Sequence, residues 1–162
     1  GRRRASGGAD RGAHLKKEAE LQRPAPRESD ERDIDAVVHD YFEGWYEGDA
    51  ERMRRAVHPG LAKRAPLAAL QAFRHDIGGD PDSLDEDTAD TMIDATARGA
   101  GTTRATSAEE RAIEVIVEDV YGWIATVTVH SPIYYEYLHL ARTSDGWRIV
   151  NALWQRTLAE GS

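Results

Sequence analysis

Apolar residues recur at Ile34, Val37, Val38, Tyr41, Phe42, Trp45 and Tyr46, spacings of three and four that wind onto one face of a helix. Asp33 is the expected N-cap and Gly48 the expected stop, after which Asp49 caps a second helix from Ala50 to about Val57. His58-Pro59-Gly60 is expected to end that helix. Residues 61–82 carry no clean period. Leu61 to Phe73 reads as a strand, a helix or one after the other, and Ile77-Gly78-Gly79-Asp80-Pro81 as a loop. Ser83-Leu84-Asp85-Glu86 has capping-box spacing and predicts a third helix to about Arg98, with Leu84, Met92, Ile93 and Ala97 inward and Gly99 as its stop.

Beyond Gly99 the period drops to two. Ile113, Val115 and Val117 alternate with Glu114, Ile116 and Glu118; Tyr121-Gly122 turns, and a Val- and Thr-rich strand returns from Trp123 to Ser131, where Pro132 ends it. Two further alternating runs, Tyr134–Thr143 and Trp147–Gln155, flank Ser144-Asp145-Gly146, and Asp-Gly between such runs signals a hairpin. Strict alternation puts Leu138, Leu140, Ile149, Asn151 and Leu153 on one face. His130, Tyr135, Tyr137, His139, Val150, Ala152 and Trp154 fall on the other. Helices followed by a meander with one apolar face imply an α+β fold: three N-terminal helices packed against a strongly curved, mostly antiparallel β-sheet.

Composition sets the limits of this domain. Residues 1–31 hold Leu15 and Leu21 as their only large aliphatics and are expected to be a disordered leader, with the domain at 32–157 and a short tail at 158–162. The leader has no apolar core of a secretory signal, and no run approaches the length that spans a membrane, so a cytoplasmic protein is expected. Net charge is -8 and unevenly spread: residues 1–33 hold nine Lys/Arg and seven Asp/Glu, the remainder twelve and twenty-two. An acidic domain argues against a nucleic-acid partner, and Arg2-Arg3-Arg4 is too small a footprint to reverse that. The absence of cysteine removes disulfides, thiol nucleophiles and cysteine-bound zinc.

The candidate chemistry is sparse. His14, His39, His58, His75, His130 and His139 lack the spacing of a metal site, and no metal or cofactor is expected. The acidic run from Asp80 to Asp94 fails the calcium-loop pattern, since Leu84 stands where an oxygen ligand belongs; Asp85, Glu86 and Asp87 read as a solvated first helical turn. No Gly-x-Ser-x-Gly elbow or glycine-rich phosphate loop occurs. What remains is polar residues on greasy faces. Tyr41, Glu136 and Asn151 are the expected polar set of a ligand pocket walled by Phe42, Trp45, Leu138 and Leu140. A carboxyl placed like Glu136, with Tyr41 beside it, can also serve as an acid or base.

The phrases Tyr41-Phe-Glu-Gly-Trp-Tyr-Glu-Gly-Asp-Ala50, His58-Pro59, Tyr137-Leu-His-Leu-Ala-Arg142 and Asp145-Gly-Trp-Arg-Ile-Val-Asn-Ala-Leu-Trp154 resemble the nuclear-transport-factor-2-like (NTF2-like, SnoaL-like) superfamily of cone-shaped domains. The resemblance covers about residues 32–156 and is strongest to the lumazine-binding branch. It implies the α+β cone, a cavity for a small hydrophobic or aromatic ligand, and a homodimer through the outer sheet face at His130, Tyr135, Tyr137, His139 and Trp154. By likeness to the ketosteroid isomerases of that superfamily, the oxyanion donors fall on Tyr41 and Glu136 and the catalytic base on Ala65, directly before Pro66. Alanine cannot take a proton, so a binding domain is expected first, a dehydratase, cyclase or isomerase second, and a dimeric interaction module third.

Overall fold

The computed structural model describes residues 28–159, so the expected leader to residue 27, with its arginines and His14, lies outside the described residues. The first helix, α1 (Asp30–Glu47), starts three residues ahead of the expected cap at Asp33. Ile34, Val38, Tyr41, Phe42 and Tyr46 are buried along one face, and Val37 and Trp45 pack at its margins. Gly48 closes the helix at φ 69°, a left-handed conformation that costs glycine nothing, and Asp49 caps α2 (Ala50–Ala56) by accepting from the Arg52 amide at 3.1 Å. Arg52 then reaches back to Asp40 at 3.0 Å and to Glu43, fixing the angle between the two helices.

The chain passes from α2 straight into a strand, β1 (Val57–Pro66). The helix ends at Ala56, just ahead of His58-Pro59-Gly60 as expected, and that triplet lies within the strand. It bulges out of the ladder, because β1 pairs with the last strand at Val57 and again only from Ala62. Leu61 to Phe73 is a strand followed by a helix: α3 (Leu67–Phe73) begins directly after Pro66. The third helix needs correction. Leu84–Asp87 is a strand, β2, and the capping box lies further on, where Thr88 and Thr91 bond reciprocally to open α4 (Ala89–Ala97). Asp85, Glu86 and Asp87 are therefore strand residues. Opposite them on β1 stand Ala65, Arg64 and Lys63, so two of the three cross-strand pairs join opposite charges.

A one-turn helix, α5 (Ala108–Arg111), leads into β3 (Glu114–Tyr121), β4 (Ile124–His130), β5 (Tyr134–Thr143) and β6 (Gly146–Arg156). The six strands form one sheet in the order β2-β1-β6-β5-β4-β3, antiparallel except where β1 joins β6. The chain is α+β as expected, its curved sheet wrapped against the helices, with α1 on β3 and β6.

One irregularity decides which residues face the core. Leu140 pairs with Ile149 and His139 with Asn151, so Val150 is an extra residue in β6. A one-residue bulge reverses the facing of everything after it. Ile149 is buried as expected, but Ala152 rather than Asn151 is buried beyond the bulge, and Leu153 is 47% exposed. His130, Tyr135, Tyr137 and His139 stay on the outer face, where Tyr137 is 55% exposed; Trp154 leaves that face for the interior.

The start of α1 is fastened to the β5–β6 hairpin. Asp30 is buried, pairs with Arg142 at 2.7 Å and accepts from the Trp147 indole N–H at 3.2 Å. Removing one charge of a buried pair strands the other, at a cost of about 3 kcal/mol. Asp30→Asn should lower unfolding stability by that amount in urea titration; a loss under about 1 kcal/mol would mean that the pair does not clamp the helix.

Candidate functional site

The cone encloses a cavity of about 300 Å³, near the lower end of the range for small-molecule sites. Helix α1 contributes Tyr41, Phe42 and Trp45, spaced so that all three meet the sheet. From the sheet come Lys63, Tyr134, Glu136, Trp154 and Arg156; Asp85 and Asp87 enter from β2, with Leu70 and Phe73 from α3 and Arg104 from the loop ahead of α5. Phe42 lies 6.5 Å from Tyr134 and Tyr134 lies 5.6 Å from Trp154, edge to face, between ring centres. The Trp45 indole donates to the Tyr134 hydroxyl at 3.0 Å. Gly101 permits that wall: a Cβ there would stand 2.3 Å from the Trp45 carbonyl oxygen and 2.7 Å from its ring.

At the floor three polar groups satisfy one another. The Tyr41 hydroxyl donates to Glu136 Oε1 at 3.0 Å and accepts from Lys63 Nζ, and the ammonium lies 3.5 Å from the same carboxylate oxygen. All three are buried. Burial, and then the Glu136 charge, hold the Tyr41 hydroxyl well above its ordinary pKa, so it remains a donor at any physiological pH. Lys63 also sits over two rings, 4.9 Å from the centre of Tyr41 and 5.1 Å from that of Trp154. Its ammonium has three donors, of which Tyr41 takes one and Glu136 can take another, leaving one for a guest.

The walls carry two further features. Asp85 is half-buried, and burial followed by the charge of Asp87 raises its pKa from the ordinary carboxyl value against the pull of Lys63. Burial raises the Tyr134 hydroxyl, offset in part by the Trp45 hydrogen bond and by the nearby charges of Arg104 and Arg156. The Trp154 indole N–H is buried and has no partner among the described residues.

Of the sequence-derived candidates, Tyr41, Phe42, Trp45 and Glu136 line the cavity, whereas Leu138 and Leu140 are packed in the core and do not reach it. Asn151 is exposed on the outer face, 3.3 Å from the His139 ring, because of the bulge at Val150. Sequence reasoning missed Lys63, Asp85, Asp87, Arg104, Tyr134, Trp154 and Arg156. Leu61, Lys63 and Ala65 do alternate, which was the available signal for an inward lysine. Ala65, the expected base position, is buried, and the carboxylate opposite it on β2 is Asp85.

The model of the family described as "Putative lumazine-binding" matches residues 29–155. The chain belongs to that family. The domain also superposes on solved NTF2-like proteins of unknown function. One from Silicibacter pomeroyi is 17% identical with a TM-score of 0.52, covering 76% of this chain and 92% of its own. One from Shewanella baltica is 12% identical with a TM-score of 0.55, covering 84% and 100%, and one from Methylobacillus flagellatus is 15% identical with a TM-score of 0.53, covering 83% and 97%. At these identities the likeness establishes the fold alone. No curated protein matches the chain. Among the described residues no helix is long and apolar enough to cross a membrane.

The floor network has a testable energetic signature. Lys63→Met leaves the Glu136 carboxylate buried without its counter-charge and should cost about 3 kcal/mol in urea unfolding. Replacing the set together, Lys63→Met with Glu136→Leu and Tyr41→Phe, should recover most of that loss, since an apolar set of similar volume needs no pairing. If Lys63→Met alone is as stable as the parent, the three groups do not act as a unit.

Proposed function

We propose that this lumazine-binding-family domain binds a small planar aromatic molecule in the cone, through aromatic walls and the Lys63–Tyr41–Glu136 floor. The observation that carries the reading is a cavity of about 300 Å³ lined by the Phe42, Trp45, Tyr134 and Trp154 rings and by a buried ammonium with a donor to spare. Two rings fit such a space, and the family's name makes a pteridine-2,4-dione the first compound to try. Its ring carbonyls would accept from Lys63 and from the unpartnered Trp154 indole. In this reading two copies pair through the outer sheet face, where Ile116, Tyr137 and Leu153 form an exposed row across three of the strands.

Native mass spectrometry of freshly purified protein should reveal a dimer carrying a small mass that leaves on denaturation. Titration with lumazine should quench tryptophan emission through Trp45 and Trp154, and Glu136→Gln should weaken the binding about tenfold by loosening Lys63. An empty protein whose emission is unmoved by lumazine, flavins or polycyclic ketones would end the reading; a monomer would end only its dimeric part.

A catalytic reading is favoured by Asp85 rather than by Glu136, whose carboxylate is held by Tyr41 and Lys63. A half-buried carboxylate with a raised pKa can take a proton from carbon next to a carbonyl, with the Lys63 ammonium stabilising the enolate oxygen. Deuterium exchange into α-tetralone, followed by NMR in heavy water, should then rise with pH as Asp85 loses its proton and vanish in Asp85→Asn. Exchange equal to the buffer rate, or unchanged in the variant, would leave a binder.

A further inference from the structure

Arg104 and Arg156 come from different elements, the loop ahead of α5 and the end of β6, yet both line the cavity. The cavity's other cations are in ion pairs: Arg74 with Asp76 at 2.8 Å, Lys63 with Glu136 at 3.5 Å. Among the described residues neither Arg104 nor Arg156 is in an ion pair, in a chain whose net charge is -8. Arg156 is steadied on the Phe73 ring, with its guanidinium 5.2 Å from the ring centre, a contact that leaves its edge N–H groups free. Arg104 is held at the rim by the turn in which its amide bonds to the Gly101 carbonyl at 3.2 Å, the same turn that Gly101 lets close on Trp45. Both guanidinium charges also reach the Tyr134 hydroxyl, so the two arginines act on the same part of the wall.

We propose that Arg104 and Arg156 form an anion clamp at the cavity mouth, so that the guest is a flat aromatic acid with a carboxylate or phosphate at its outer edge. The inference rests on the cavity being the ligand site, and adds the charge and orientation of the ligand. The aromatic end enters between Phe42 and Trp154 and meets the Lys63 floor; the anion stays at the rim, where guanidinium forks match its geometry. Partial exposure makes each contact modest, but two arginines on one group combine. The carboxylates of Asp85 and Asp87, which reach the cavity from β2, repel the anion, so the guest enters in one orientation.

The test uses the full chain and three compact bicyclic probes: 2-naphthoate, 2-naphthyl phosphate and uncharged 2-naphthamide, each titrated by calorimetry. At low salt at least one anion should bind about tenfold tighter than the amide, and that advantage should shrink in about 0.5 M salt. The better anion distinguishes a carboxylate guest from a phosphorylated one. Arg104→Gln with Arg156→Gln should bring anion and amide to equal affinity. Amide binding as tight as both anions, or a preference that survives the double variant, overturns the clamp while the cavity reading stands. If none of the three binds, the cavity reading fails and the clamp with it. Should the double variant not fold, the comparison of anions with amide on the parent chain decides alone.

Discussion

The buried Lys63–Tyr41–Glu136 network is the constraint on which the inside of this domain depends. It joins helix α1, strand β1 and strand β5 at one point, so the distance between helix layer and sheet is set there by polar geometry. Two charges out of water cost several kcal/mol each, and an ammonium and a carboxylate recover this only when the remaining donors and acceptors are matched. Tyr41 supplies the match by donating to one and accepting from the other. The unequal count of three ammonium donors leaves an unused donor at the base of an aromatic-walled space. A purely apolar floor would fold as well, and would offer a guest nothing to recognise.

Bulges decide which side chains surround that floor. Pro59-Gly60 lets β1 leave and rejoin β6, and the extra Val150 rotates the end of β6 so that Ala152, Trp154 and Arg156 follow Ile149 inward. Without the second bulge, Asn151 and Leu153 would take those places. The cavity would then lose an aromatic wall and a cation together. A single inserted residue thus exchanges an amide for an indole at the site, and an aromatic surface residue for a polar one outside.

Where the sequence was legible, one periodicity ran unbroken. The face of α1, the Gly48-Asp49 junction and the β5–β6 hairpin are all visible because helix and strand patterns there persist over ten residues or more. Tyr41, Phe42, Trp45 and Glu136 belong to those stretches. Nothing local in Arg-Ile-Val-Asn-Ala-Leu-Trp marks the bulge at Val150, since alternation reads equally well from either phase. Residues 57–87 were illegible for a different reason. Their strands are short or bulged, and the inward residues of β1 and β2 include Lys63, Asp85 and Asp87, the residue types a hydrophobic pattern assigns to solvent. Functional polar residues are hidden from such a reading because they break the rule that reveals the core.

The same logic connects the floor to the mouth. The chain is acidic overall, so its long-range field disfavours an anionic guest. In the proposed clamp Arg104 and Arg156 bring positive charge to the cavity mouth, while Asp85 and Asp87, which also line the cavity, bring negative charge. A guest with both an aromatic body and an anionic end therefore meets attraction along one approach. Inside, the charge balance differs: Glu136 cancels Lys63, so the depth of the cavity selects for shape and hydrogen-bond acceptors rather than for net charge. In the proposed site, affinity and orientation come from separate residues. Floor substitutions act on folding and binding together, and rim substitutions act on binding alone, because only the floor's charges are buried.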